Sequence, residues 1–479
     1  MSDEALSLAP QRSDLNPSSA GAPQRGDLTQ GPIFKTLAVF SLPVLLGNVL
    51  QSLNGSVNTV WIGRLLGEDA LAATSSSNIV MFLVFAAIFG ISMATTVHVA
   101  QSFGARNIDA MRKSFGAGLG LCLMLSAAIA LLGWIGAPAL LDLLNLPGTS
   151  RHFALDYLRV IFLVLPGMTL TVLVSSAMRG CGDSRTPLYF LVLSVVLDIG
   201  LNPLFIAGIG PFPRLGIVGA AVATAIATLT SLAGLMGWIY WRDLPIRLKG
   251  RELAYLWPAS EELSYLITKG LPMGFQMLVI SGAGVIMIGL INQEGLNYAA
   301  GYGALLQLWN YIQMPGLAIS AAVSAMVAQH IGARREARVD AISWSGAGAN
   351  VAITLVLIAL LLVFGRPLLA LFLGADSPAI PVSLHIQNMA IWTYVPFGVT
   401  IVLFGVLRSY GVVMVQIAIL FFAMYLVRLG VYALLYQRIG PDALWYSLTI
   451  SSAASLTLTL LAYFYSSWRA PMRARVAAE

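Results

Sequence analysis

Of the chain's 479 residues, 58% are apolar or aromatic and 10% are charged, with a mean hydropathy of +0.82; soluble domains carry about 25% charged residues. That balance excludes a soluble enzyme, and long unbroken apolar runs favour helices over an outer-membrane barrel of ten-residue alternations. The net charge of +6 raises a nucleic-acid partner, which the placement of the basic residues argues against below.

Residues 1–34 form a polar tail: 1–31 are rich in Ser, Pro, Gln and Asp and have no apolar core, so they are not a signal peptide and are expected to be disordered. The first span, near 36–62, carries Pro43, which frees a backbone carbonyl and is expected to bend the helix; Asn48, Gln51, Gly55 and Asn58 share one of its faces. A second span near 71–99 runs into Val99-Ala100-Gln101-Ser102-Phe103-Gly104-Ala105-Arg106. The third, near 114–137, contains Gly116-Ala117-Gly118-Leu119-Gly120, which lacks the last glycine of a dinucleotide loop and reads as close helix packing. After the fourth (154–178) comes Met178-Arg179-Gly180-Cys181-Gly182-Asp183-Ser184-Arg185-Thr186-Pro187. The fifth (188–208) holds Ser194, Asp198 and Asn202 at i, i+4, i+8, and the sixth spans 216–241.

The N-terminal half thus covers 35–241, and a basic linker at 242–269 leads to a C-terminal half at 270–468. Its spans are placed near 270–291, 298–328, 343–364, 386–407, 413–436 and 443–467, with a tail at 469–479. Pro272 opens the seventh span as Pro43 opens the first. Gln307, Asn310 and Gln313 form a polar row in the eighth, Trp392 and Tyr394 lie in the tenth, and Arg428 lies inside the eleventh. The expected architecture is an all-α polytopic membrane protein of twelve helices at about 20 residues per span.

Arg64, Arg151, Arg159, Arg214, Arg366 and Arg438 fall in one set of loops and Arg428 in a span; the other 20 of the 27 Lys and Arg fall in the tails and the even-numbered loops. They include Arg106, Arg112, Lys113, Arg242, Arg247, Lys249, Arg251, Arg334, Arg335 and Arg338. This positive-inside asymmetry places both termini in the cytoplasm, in a multi-pass protein of the inner membrane. The charge is topological, and no nucleic acid is implied.

The halves repeat at one offset. Leu42-Pro43 matches Leu271-Pro272, and Val99–Arg106 matches Val327-Ala328-Gln329-His330-Ile331-Gly332-Ala333-Arg334. Met178-Arg179 with Gly182 is echoed by Leu407-Arg408 with Gly411. Six helices per half is an even number, so both halves start on the same side and the pseudo-two-fold runs along the membrane normal, as in carriers with a cavity between two parallel repeats. A duplicated bundle also suits a receptor or scaffold. Catalytic motifs are missing: there is no GxxxxGK[ST], HExxH or GxSxG. Cys122 and Cys181 give neither a disulfide framework nor metal spacing, and His98, His152, His330 and His385 are scattered. No catalytic residue, cofactor or structural metal is expected.

The Met178–Pro187 stretch resembles the RGxGDTxxP loop after the fourth helix of the multidrug and toxic compound extrusion (MATE) transporters. Leu42-Pro43, Gln51, Asn58-Thr59-Val60-Trp61-Ile62-Gly63 and Ala70-Leu71-Ala72-Ala73 are similar to that family's opening, and the two VAQxxGAR stretches are typical of it. Asp198-Ile199-Gly200-Leu201-Asn202-Pro203 resembles its fifth-helix motif. The resemblance covers roughly 35–468 and implies a V-shaped, monomeric carrier exchanging Na⁺ or H⁺ for drugs, mostly cationic amphipathic compounds. The alternative is a carrier or flippase of the same superfamily for an endogenous substrate, such as a lipid-linked sugar or metabolite. Where many members have an Asp fifteen residues after the first-helix Pro, this chain has Asn58, whose amide can ligate Na⁺ but cannot carry a proton near pH 7.

An ionisable group inside the bilayer is functional by default. Asp198, with Asn202, Asn58 and Ser194, is read as the cation-coupling set, its one carboxylate taking Na⁺ or H⁺; the bland reading is a structural, permanently ionised Asp. Gln51, Asn48, Gln307, Asn310, Gln313, Trp392, Tyr394 and Arg428 are the candidates for lining the cavity, against ordinary packing or interfacial belts. Arg428 lies 230 residues after Asp198. It is either a counter-charge to that aspartate across the cavity or an Arg that snorkels or locks its own helix. Pro43 and Pro272 are the expected bends.

Overall fold

The computed structural model describes residues 26–143 and 148–465. Among these residues twelve helices are long and apolar enough to cross a membrane: α1 Ile33–Leu66, α2 Glu68–Gly104, α3 Ile108–Asp142, α4 Ser150–Gly180, α5 Arg185–Ala207, α6 Ile217–Trp241, α7 Ser260–Gln293, α8 Leu296–Gly332, α9 Glu336–Leu373, α10 Ala379–Ser409, α11 Met414–Ile439 and α12 Asp442–Tyr465. No strand occurs among the described residues. All twelve expected spans are present. Most overrun their expected limits because polar ends, once their backbone is hydrogen-bonded, extend the helix past the apolar core. The largest difference is at α7, which starts at Ser260, inside the segment expected as linker. The expected tail at 469–479 and most of the one at 1–34 lie outside the described residues.

The repeat is written into the backbone as well as the sequence. Arg106 and Arg334, two of the three non-glycine residues with positive φ among those described, adopt φ 58° and 57°. Gly67 and Gly295 make the tight turns between first and second helices of each half, and Gly182 and Gly411 those after the fourth and tenth. Such values are inexpensive only for glycine, so at the arginines the fold holds a left-handed residue in both halves.

α1 continues through Pro43 as one helix. Pro272 follows a π-helical segment, Leu266–Gly270, a local widening that absorbs the lost hydrogen bond. The glycine row of α3 receives the linker: Gly116 meets Tyr255 and Gly120 the backbone of Leu256 in the short 3-10 helix Gly250–Leu256. Only glycine admits so close a backbone. Asp183 caps α5, its Oδ1 accepting from the Thr186 N–H at 3.0 Å and its Oδ2 from the Thr186 hydroxyl at 2.6 Å.

The two halves meet at the face that carries the linker. There α2 and α8 cross so closely that a methyl on Gly104 would strike the Gln329 carbonyl and one on Gly332 the Gln101 carbonyl. Farther along α2, Gly90 packs on the backbone of Gly270 and Gly274. Gln101 Nε2 donates to the Ser409 carbonyl at 2.7 Å, and Gln329 Nε2 to the Gly180 carbonyl at 2.9 Å. These two bonds are counterparts under the repeat. The segment before α1 is drawn into the same seam: Leu28 N–H donates to Gln329 Oε1 at 2.9 Å, and Arg338 donates to the carbonyls of Thr29 and Gly31.

Candidate functional site

Asp198 is 2% exposed and lies in the middle of the N-terminal half, where a carboxylate needs partners to offset its lost hydration. The fold supplies four donors. Asn54 and Asn58 of α1 each donate an Nδ2–H to Oδ2 at 2.8 Å. Asn202, one turn on in α5, donates to Oδ1 at 3.1 Å, and the Thr224 hydroxyl of α6 donates to the same oxygen at 2.9 Å. Asn202 also reaches Asn58 Oδ1 at 3.0 Å. Tyr157 of α4 stands within electrostatic range. Among the described residues Asp198 makes no ion pair.

Two amide oxygens of this cluster, Asn54 Oδ1 and Asn202 Oδ1, are buried with no hydrogen-bond partner. A buried polar atom without a partner is uncommon and calls for an explanation. They and the Asp198 carboxylate oxygens are hard oxygens of the type that small cations prefer, with the two amides turned so that their nitrogens rather than their oxygens face the carboxylate. No cluster of three or more His, Cys, Asp or Glu suited to a metal occurs among the described residues, so a cation here would rest on one carboxylate and neutral amides.

The structure therefore brings together three of the four residues expected for coupling, Asp198, Asn202 and Asn58. Ser194 is half-buried and makes no bond to the carboxylate. Sequence reading missed Asn54 and Thr224. Asn54 carried a weak signal, one turn before Asn58 on the same face; Thr224 sits in an Ala-rich span with none.

The residues expected to line a cavity distribute differently. Gln51 is exposed and Asn48 half-buried on α1; Gln307 and Asn310 are exposed on α8, with Gln313 half-buried behind them beside the Tyr394 hydroxyl. Trp392 is 47% exposed, whereas Tyr394 packs in an aromatic cluster with Trp309 at 5.6 Å between ring centres. Arg428 is 7% exposed and donates from Nε to Ser451 Oγ at 3.1 Å. Of the two readings of Arg428, the ion pair with Asp198 is not formed among the described residues. Asp198 takes all its partners from α1, α5 and α6, and Arg428 takes its own from the opposite half. A separate cavity of about 460 Å³ at the linker face is lined by His98, Asp109, Lys113, Glu261, Glu262 and Tyr265, away from both charges.

Known proteins carry the same organisation. The family model described as MatE matches residues 43–204 and again 272–434, so each match opens on one of the paired prolines. The chain is 32% identical to the probable multidrug resistance protein YoeA of Bacillus subtilis, over 91% of this chain and 94% of that one. It is 27% identical to a FAD transporter of Shewanella oneidensis, over 81% and 84%. Its fold matches a solved structure of the outward-facing conformation of a multidrug resistance MATE family transporter with a TM-score of 0.85, at 20% identity, covering 95% of this chain and all of the other. The chain belongs to the MatE family, a family of membrane transporters rather than enzymes.

Proposed function

We propose that this protein is a cation-coupled antiporter that exports cationic amphipathic drugs, with Na⁺ as the coupling ion held at Asp198. The observation that carries the reading is the buried carboxylate among three asparagines, two of whose amide oxygens lack a donor. Rotation of those amides about χ2 turns further oxygens toward an ion. A proton would need only the carboxylate and would leave the amide oxygens unexplained. Asn58, in place of the acid common at that position, adds a neutral ligand and no titrating group.

The charge asymmetry of the loops supports a cytoplasmic linker face and cytoplasmic termini in the inner membrane. On that orientation, the seam between α2 and α8 closes the cytoplasmic side and the site is reached from outside. The amides exposed on α1 and α8 then line the cleft, since lipid offers them no partners. The protein works as a single chain in the bilayer and needs no cofactor. A second reading, a carrier for an endogenous metabolite, draws on the relative named a FAD transporter.

The test is efflux of the fluorescent cation ethidium in proteoliposomes under separately imposed sodium and pH gradients. A sodium gradient at fixed pH is expected to drive export. Export driven by a pH gradient with no sodium present would overturn the choice of ion, and absence of ethidium movement under either gradient would overturn the export reading.

A further inference from the structure

We infer that the C-terminal half contains a receptor for an anionic group, centred on the Arg428 guanidinium, and that it favours those exported compounds that present a carboxylate. This rests on the export reading above and adds a preference within it: aromatic zwitterions are held more tightly than cations without an anionic group.

Arg428, at 7% exposed, is the least exposed Lys or Arg among the described residues. It sits in the middle of α11, about 16 Å from the helix's C-terminal end at 1.5 Å per residue, too far for its side chain to reach water by snorkelling. Its sole hydrogen bond among the described residues runs from Nε to the Ser451 hydroxyl. The two terminal nitrogens bond nothing among the described residues, yet they are not sealed, since they are not among the fully buried unpartnered atoms. Within electrostatic reach stand Tyr302, Tyr394 and Tyr425, all neutral phenols. The least exposed acid of the C-terminal half among those described, Glu336, lies at the linker face. A buried charge with no counter-charge is unstable in a low dielectric unless something supplies one, and the protein does not.

The backbone points to the same place. The π-helical segment Phe422–Val427 ends immediately before Arg428. Such bulges recur at functional sites because they displace a side chain from its regular position at some cost to the helix. The approach is also built: Gln313, continuing the exposed row Gln307 and Asn310, sits beside the Tyr394 hydroxyl, and Tyr394 stands near the guanidinium. Asp198 offers an instructive contrast, with four donors already on its carboxylate, whereas the planar fork of Arg428 has its carboxylate-binding edge free.

The probe pair is the zwitterionic fluoroquinolone norfloxacin and its methyl ester, which differ in the carboxylate alone, with binding read by fluorescence titration of the purified protein. Wild type is expected to bind the acid at least about tenfold more tightly than the ester, the size of one charge-assisted bidentate contact. Arg428→Gln should bind acid and ester alike, and Arg428→Lys should keep part of the preference; thermal unfolding of each variant checks its folding. Equal binding of acid and ester by wild type, or a preference retained in Arg428→Gln, would overturn the receptor. Ethidium carries no anionic group. Gradient-driven export of ethidium alongside equal binding of acid and ester would therefore sink the anion receptor and leave the export reading standing. Binding of neither probe would also overturn the receptor, whatever ethidium does.

Discussion

Truncating Gln329 to alanine should release the linker face. The side chain is fully buried and makes three hydrogen bonds: from Leu28 N–H to Oε1 at 2.9 Å, and from Nε2 to the carbonyls of Gly180 at 2.9 Å and Gly26 at 3.3 Å. Two of these partners precede α1 and the third ends α4, so one residue of the C-terminal half ties two segments of the other. A net hydrogen bond is worth about 1 kcal/mol, and a stranded buried partner costs about 1–3 kcal/mol. Gln329→Ala should therefore disfavour the closed linker face by about 2–4 kcal/mol. At 1.4 kcal/mol per tenfold, that moves the equilibrium about 30- to 700-fold toward states open on this side. Gln101→Ala, which removes one bond to the Ser409 carbonyl, should shift it about fivefold. The assay is pulsed electron-spin distance measurement between labels at Arg185→Cys and Ala337→Cys, both exposed, with the buried Cys122 and Cys181 replaced by alanine. A longer distance population should appear in Gln329→Ala and grow in the double mutant. An unchanged distribution in Gln329→Ala, with unfolding behaviour like wild type, would refute the idea that this seam holds the face shut.

Gly332→Val places side-chain atoms against the Gln101 carbonyl; overpacking of this kind costs about 1–3 kcal/mol, so the same labels should report opening and efflux should fall several-fold, whereas wild-type distances would contradict the close crossing. Asn58→Asp puts a second carboxylate beside Asp198, in place of an amide that donates to it at 2.8 Å. Like charges so close cannot both stay ionised at neutral pH, so this variant should gain a pH-dependent efflux that the native protein lacks, and a flat pH profile would count against the site. Thr224→Val removes one of four donors while leaving the shape. It should weaken ion-driven efflux by roughly tenfold or less, since three donors remain; a complete loss would indicate a different role for Thr224.

The fold was legible because its cues are redundant. Twelve apolar runs, basic residues gathered in alternate loops and three sequence anchors at one offset all specify the same duplicated bundle, and the left-handed Arg106 and Arg334 repeat it in the backbone. Element ends were less legible. The stretch 260–269 follows directly on the basic residues of 242–251, and its own start signal, Ser260 with Glu261 and Glu262 in the first turn, was passed over; the helix there packs on α2 and α3. At the site, Asp198, Asn202 and Asn58 stood out because polar groups on an apolar helix must find one another. Thr224 could not, since threonine satisfies itself on its own helix backbone as readily as on a neighbour. An Asp198–Arg428 pairing was one of two readings open for two lone charges at equivalent positions. The structure separates them because the repeat places equivalent positions in opposite halves, each enclosed by its own helices.

Binding of radioactive sodium to the purified protein tests the central claim most directly, because it needs neither a substrate nor a direction of transport. Native protein should bind a single sodium ion per chain at neutral pH, and Asp198→Asn, which keeps the size and removes the charge, should bind none while unfolding at a similar temperature. Undiminished sodium binding by Asp198→Asn, or none by the native protein, would contradict the assignment of the coupling ion to this site.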